Sequence, residues 1–213
     1  MTITYQAKES VYVNLTNRCP CACRFCIRNN GPGVFGSGPL WLEREPTLGE
    51  VSESLDGWDY TRFREVVFCG YGEPTERLDV LLAAAERLKR MDASLRVRVN
   101  TNGLSDLING RPTARLFAGK VDSLSISLNT DDADEYEAMC RPRFGAAAYP
   151  AMLAFAEEVA AVLPEVVMTV VGEPVTDVGK QARCRAIAEG LGARFRIRRY
   201  EAPEWRKEKR SNS

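Results

Sequence analysis

Six short strand-like runs recur along this chain with helical stretches between them, and that alternation restricts the fold to strands paired mainly in parallel. The runs are Val11 to Leu15, Glu65 to Cys69, Leu95 to Asn100, Ser123 to Asn129, Val166 to Val171 and Arg194 to Tyr200. Between them, Glu76 to Met91 sets Leu78, Leu81, Leu82, Ala85 and Leu88 on one helical face, and Tyr149 to Leu163 and Thr176 to Leu191 also read as helices. Strand, helix, strand repeats join parallel neighbours through right-handed crossovers. Six such units make either an open doubly wound sheet or a partial barrel, and periodicity alone does not choose between them.

Several of the strands are two-faced. Arg96, Arg98, Asn100 and Asn102 alternate with Val97 and Val99, while Ser123, Ser125, Ser127 and Asn129 alternate with Leu124, Ile126 and Leu128. In the last run Arg194, Arg196 and Arg198 stand against Phe195 and Ile197. If the apolar faces pack on helices, the polar faces line an interior, and that interior is a polar, partly cationic lumen suited to a polar or anionic ligand. A closed eight-stranded barrel instead fills its centre with branched apolar side chains. The other reading of the arginine runs is an edge strand that points charge at water.

Composition narrows the function. The 213 residues carry 45% hydrophobic and 27% charged side chains at a formal charge of zero, which fits one soluble globular domain over 1–213. That balance neither advertises nor excludes nucleic acid. The start lacks the basic segment and apolar run of a secretory signal, and no apolar stretch is long enough to span a bilayer, so the expected address is the cytoplasm, away from membranes. There is no histidine, which removes imidazole-based triads and the commonest zinc partner. Seven cysteines, four of them between positions 19 and 26, read as reduced thiols recruited by metal and not as a disulfide framework.

The segment Cys19-Pro-Cys-Ala-Cys23-Arg-Phe-Cys26 follows the first run, at the end of a parallel strand where ligands gather. Three thiolates spaced by three and then two residues suit an iron-sulfur cluster with one iron left open for chemistry. A structural zinc site that adds Cys21 as a fourth thiolate is the alternative. After the second run comes Cys69-Gly70-Tyr71-Gly72-Glu73-Pro74-Thr75, whose glycines let backbone approach a ligand closely and whose carboxylate can accept from an ammonium. Asn100-Thr-Asn102-Gly103 ends the third run, either as a ligand-binding turn or as a plain strand-ending turn.

Taken together, Cys19, Cys23, Phe25 and Cys26, the Gly-Tyr-Gly-Glu-Pro run and the Thr-Asn-Gly turn resemble the radical S-adenosylmethionine (SAM) superfamily over roughly residues 11 to 200. The resemblance implies a single-domain partial (β/α)6 barrel of parallel strands with an open polar lumen. It implies a [4Fe-4S] cluster on Cys19, Cys23 and Cys26, and SAM held by Phe25, Gly70, Tyr71, Gly72, Glu73, Pro74, Asn100 and Asn102, with Ser127, Asn129 and Arg198 reaching the same ligand. It also implies a reductant such as a flavodoxin or ferredoxin, and reductive cleavage of SAM to a 5'-deoxyadenosyl radical that takes hydrogen from a substrate. Through Leu15 to Cys21, Leu40 to Thr47 and Cys69 to Thr75 the chain is similar to the small TatD-associated members, which brings a TatD-family hydrolase into view as a partner.

Cys140 has two readings, a hydrogen-atom donor to a substrate radical or a small buried apolar residue; Cys69 and Cys184 read as packing residues. The glycine-rich loop from Asn29 to Pro46 is long enough to form a lid. The charged tail over 201–213 is expected to be disordered at its end. Other classes remain: a glycyl-radical-type protein activase, a deazaguanine-like small-molecule radical SAM enzyme, and a non-catalytic iron-sulfur or zinc module.

Overall fold

The computed structural model describes residues 1–201; the charged tail expected over 201–213 lies, from 202 onward, outside the described residues. Seven strands form one sheet: β1 (Thr4–Ala7), β2 (Ser10–Val13), β3 (Glu65–Phe68), β4 (Arg96–Thr101), β5 (Ser123–Ser127), β6 (Glu165–Val171) and β7 (Arg194–Arg198). Helices α1 (Leu48–Asp56), α2 (Leu78–Met91), α3 (Ser105–Asn109), α4 (Ala133–Cys140), α5 (Ala148–Ala160) and α6 (Val178–Gly190) fill the connections from β2 onward. The strands lie in sequence order; β1 and β2 are antiparallel and every later pair is parallel.

That order excludes the doubly wound alternative, in which the strand sequence reverses at a switch point. Right-handed crossovers that always step the same way place their helices on the same face. Val11, Val13, Val66, Phe68, Val97, Val99, Leu124, Ile126, Met168 and Val170 supply the buried side of the sheet, in one cluster with Leu81, Ala84 and Leu88 of α2 and Met152, Phe155 and Val159 of α5. The register aligns the other face: Glu65 beside Arg96, Arg98 beside Ser123 beside Glu165, and Ser127 beside Thr169 beside Arg196.

Among the elements that the structure adds to the expected set are the strand β1 and the helix α1. The β1–β2 hairpin turns at Lys8 and Glu9, with Lys8 at φ 55 in place of the glycine or asparagine that would mark such a turn. Helix α1 opens with a capping box, in which the Thr47 hydroxyl accepts from Glu50 N–H while Glu50 Oε2 accepts from Thr47 N–H. The Thr-x-x-Glu signal ahead of Val51 and Leu55 was therefore present in the sequence. Boundaries also move. The run from Glu76 begins its α-helix only at Leu78, because Pro74–Arg77 forms a tighter 3-10 turn. The fifth strand stops at Ser127, because Asn129 turns the chain at φ 66.

The loop from Asn29 to Pro46 is fastened rather than free. Leu40 is fully buried in a second cluster with Tyr5, Ala7 and Tyr71, on the sheet side away from the helices. Asn14 Nδ2 donates to Leu40 O (2.7 Å), Asn17 exchanges two hydrogen bonds with the Leu42 backbone, and Tyr71 OH donates to Gly31 O (2.8 Å). Among the described residues no helix is long and apolar enough to cross a membrane.

The two faces of the sheet differ in what they contribute to stability. Leu124→Ala, on the helix-covered face, is expected to cost about 2–5 kcal/mol, while Ser127→Ala, on the polar face, costs under about 1 kcal/mol. Urea unfolding of both variants checks this, and equal losses would reject the two-faced assignment.

Candidate active site

The chain leaves β2 at Val13 and runs to the cysteines across the end of β3, and the glycines there are required by how closely it passes. A Cβ on Gly70 would stand 1.9 Å from Asn14 Oδ1, and one on Gly72 would stand 2.3 Å from Thr16 O and 2.5 Å from Arg18 O. No side chain fits at either place. The backbone completes the clamp, since Glu73 N donates to Arg18 O (2.8 Å). Gly70 and Gly72 are thus the bed on which the cysteine loop lies.

Glu73 is 4% exposed, and four donors meet its carboxylate. Oε1 accepts from Thr75 N (3.2 Å), Thr75 Oγ1 (2.8 Å) and Thr101 Oγ1 (2.7 Å), and Oε2 accepts from Asn102 N (2.7 Å). Burial raises its pKa above the ordinary carboxylate value, against the pull of those donors. The side chain therefore ties the end of β3 to the end of β4, and it sets the backbone of Asn102. Asn102 Nδ2 in turn points at the thiols, 3.8 Å from Cys21 Sγ and 4.0 Å from Cys19 Sγ. Pro74 is buried at the first position of the 3-10 turn. Tyr71 is buried too, edge-on to Trp41 with centroids 5.2 Å apart.

The cysteine loop is strapped from the other side by the segment after α4. Cys21 and Pro142 form an antiparallel bridge, and Ala22 N donates to Cys140 O (3.0 Å), Arg24 N to Met139 O (3.1 Å) and Arg143 N to Pro20 O (2.8 Å). This brings Cys140 against the motif. Hydrogen bonds from Cys140 and then from Cys21, with Arg28 nearby, hold the Cys23 thiol below its ordinary pKa. Cys140 is pushed the opposite way, by that same bond and by burial, and keeps its proton. The Cys21 thiol is also raised, by its hydrogen bonds to Cys19 and Cys23, whereas Cys19 is lowered by its bond from Cys21. Cys26 is raised by burial, with the charges of Cys23 and Cys19 contributing.

Cys19, Cys23 and Cys26 therefore share one electrostatic neighbourhood and are all partly exposed, whereas Cys21 is buried. Among the described residues no three or more His, Cys, Asp or Glu side chains converge as ligands of a single ion. Three partly exposed thiols with no imidazole beside them are a soft donor set of the kind that holds an iron-sulfur cluster. Half-buried Phe25, between two of these cysteines, packs on the main core and shields the loop.

The end of β5 and the end of β7 face the same region. Asn129 Nδ2 donates to Cys140 Sγ (3.4 Å), while its buried Oδ1 finds no partner among the described residues. Arg198 reaches Ser127 Oγ at 3.5 Å; its Nε is buried and unpartnered, and the guanidinium lies within charge range of Cys69, Cys23 and Cys26. Asn100 accepts from Arg98 and hydrogen-bonds the Cys69 thiol. Buried polar atoms are nearly always satisfied, so orphaned ones beside the thiols mark a place built for a ligand. The strap by residues 139–143 is what sequence reasoning missed, because a single long-range bridge leaves no local pattern.

Thiols gathered at the carboxyl ends of a parallel sheet, beside unsatisfied polar groups, define an α/β protein equipped for a cluster and a polar ligand. The family model of the radical SAM superfamily matches residues 13–179, and the chain belongs to that superfamily. It works with a [4Fe-4S] cluster and SAM. The dual-specificity RNA methyltransferase RlmN of Sulfurimonas denitrificans is 28% identical over 117 residues, 50% of this chain and 30% of RlmN. Streptococcus suis SuiB bound to S-adenosylmethionine is similar in fold, with a TM-score of 0.66 at 17% identity over 92% of this chain and 40% of SuiB. Methylornithine synthase (PylB) gives 0.60 at 12% identity over 90% of this chain and 53% of PylB. The chain thus spans about a third of the curated relative and roughly half or less of these solved proteins.

Because four donors converge on Glu73, an amide there sets N–H against N–H or O–H. Glu73→Gln is expected to lower stability in denaturant unfolding by about 1–3 kcal/mol, against under about 0.5 kcal/mol for exposed Glu53→Gln. Equal stability of the two variants would show that the carboxylate does not tie β3 to β4.

Proposed function

We propose that this chain is a radical SAM enzyme whose Cys19, Cys23 and Cys26 hold a [4Fe-4S] cluster. The observation that carries the reading is the grouping of Cys19, Cys23 and Cys26 on a loop clamped by Gly70, Gly72 and the 139–143 strap, beside the orphaned polar atoms of Asn129 and Arg198. When bound, the reduced cluster and SAM supply a 5'-deoxyadenosyl radical that removes hydrogen from a substrate. The chain's own residues hold and orient. Phe25 covers the cluster loop, and residues Gly70 to Pro74 shape the ligand's bed. Asn100, Asn102, Ser127, Asn129 and Arg198 offer polar atoms to SAM, with Glu73 acting by fixing Asn102. Of the two readings of Cys140, hydrogen-atom donor or small buried residue, its burial supports the second, and we assign it the holding of the Cys23 sulfur.

The sheet order and the polar face support a partial (β/α)6 barrel, β2 to β7 with a polar lumen, in a single domain over 1–213. The same reading places the protein in the cytoplasm and in the TatD-associated group, with a TatD-family hydrolase as its partner. A reductant such as a flavodoxin or ferredoxin would deliver the electron. An opening of about 420 Å³ beside Cys23, lined by Arg24, Arg28 and Arg141 with Ala22 and Asn29, supports approach of an acidic carrier there.

After anaerobic reconstitution and reduction, the protein is expected to convert SAM to 5'-deoxyadenosine. Alanine at position 19, 23 or 26 should abolish iron binding and turnover, and Cys21→Ala should keep iron. Iron retained after Cys23→Ala, or zinc bound without SAM cleavage, would overturn the reading. For the electron path, Arg24→Glu with Arg141→Glu is expected to slow reduction by flavodoxin about 10-fold at low salt and to leave reduction by dithionite unchanged. Stopped-flow bleaching of the cluster absorbance measures both, and equal flavodoxin rates would remove the docking site.

A further inference from the structure

The amino-terminal halves of β3 to β7 enclose a cavity of about 290 Å³ on the polar face of the sheet, at the opposite end from the cysteines. Arg96, Arg98, Arg194 and Arg196 line it, against only two carboxylates, Glu65 and Glu165. Arg98 pairs with Glu65 (2.7 Å), and both Arg96 and Arg194 pair with Glu165. Among the described residues Arg196 has no carboxylate partner. The lining therefore holds four positive charges and two negative ones.

An edge strand that only repels other strands would send its arginines into water. Arg196 is solvent-exposed, yet its guanidinium crosses the polar face to donate to Ser125 Oγ at 3.1 Å. That reach, from β7 to β5, crosses two interstrand spacings of about 4.8 Å each. Ser123 Oγ, fully buried in the same lining, makes no hydrogen bond of ordinary geometry, and Glu165, whose pKa it helps to lower, is its nearest acceptor. Partial burial, and the charge of Arg98 close by, lower the Arg196 pKa from its ordinary value against the pull of Glu65 and Glu165. An arginine fork, two serine hydroxyls and two uncompensated charges match an oxyanion of charge about −2.

We propose that this cavity binds a phosphate group, with Arg196, Ser123 and Ser125 as its contacts and the Arg98–Glu65 and Arg96–Glu165 pairs as its frame. The ligand is either an organic phosphate monoester or the free phosphate ion. Under the reading above, a monoester whose phosphate sits here extends along the polar face toward the thiols. Phosphate binding itself requires neither cluster nor SAM.

The test uses the full chain with its cluster reconstituted, titrated calorimetrically at constant ionic strength with inorganic phosphate, glycerol 3-phosphate and, as control, chloride. Both phosphates are expected to bind and chloride not to. Arg196→Gln is expected to weaken phosphate binding at least 10-fold, and Ser123→Ala several-fold. Arg44→Gln, at an exposed arginine in the loop before α1 that takes no part in the lining, should leave binding unchanged. Tighter binding of glycerol 3-phosphate identifies an organic phosphate as the ligand, and tighter binding of inorganic phosphate identifies the free ion. No heat above the chloride control, or equal binding by wild type and Arg196→Gln, overturns the proposal. SAM cleavage assayed on the same preparation reports separately, so loss of one property is distinguishable from loss of the other.

Discussion

The buried carboxylate of Glu73 joins two chain segments that sequence keeps apart, the turn after β3 and the end of β4. It caps the turn that starts toward α2, accepts from Thr101 at the end of β4, and fixes the backbone of Asn102, whose amide points at the thiols. Its own N–H meanwhile holds Arg18 O in the cysteine loop. A carboxylate removed from water is tolerated only when its lone pairs are met, and here four donors meet them. Because those donors come from both β3 and β4 ends, satisfying the charge and positioning the loop are the same event. The glycines at 70 and 72 are the steric counterpart, since any side chain there would push the loop off the sheet.

The order of the strands explains why one face of the sheet is free for function. With every crossover on the other face, the polar row Glu65, Arg98, Ser125, Ser127 and Arg196 has no helix to cover it. Only at the β1–β2 edge does the glycine-rich loop close over this side, burying Tyr5, Leu40 and Tyr71. The arginines of β7 bend across the sheet toward Ser125 and Ser127, so the edge strand supplies cation to the centre of the face. Parallel strands give that face two chemically different ends. Thiols and orphaned amide and guanidinium atoms gather at the carboxyl ends, and paired arginines and glutamates at the amino ends.

Much of this was legible in the chain itself, where a local pattern carried it. Alternation in Leu95 to Asn102 and Ser123 to Asn129 placed both faces correctly, because a period of two survives whatever the strand packs against. The cysteine spacing and the glycines of 70–72 are likewise local. Residues such as Lys8 and Thr47 show the limits: the hairpin turns without a glycine, and the capping box lay just beyond a loop read as irregular. The reach of Arg196 across the polar face and the bridge of Cys21 to Pro142 depend on the curvature of the sheet and on tertiary contact, which no window of sequence records.

The pairing of Cys140 with Cys23 follows from that same tertiary contact, and it changes what each thiol can do. A buried thiol in apolar surroundings ordinarily keeps its proton and is inert. Cys140, 1% exposed, does so, but it donates toward Cys23 and receives a hydrogen bond from Asn129 Nδ2, so the proton is directed. Cys23 gains a stabilised charge without a cationic side chain in contact, and Arg28 adds a longer-range pull. Thiolate, not thiol, is the ligating form, so a cysteine whose pKa is held down gives up its proton to metal more readily. The end of α4 thereby acts on the motif through one sulfur, and the turn at Arg141, with φ 47, is the backbone conformation that brings Pro142 to Cys21 and keeps that sulfur in place.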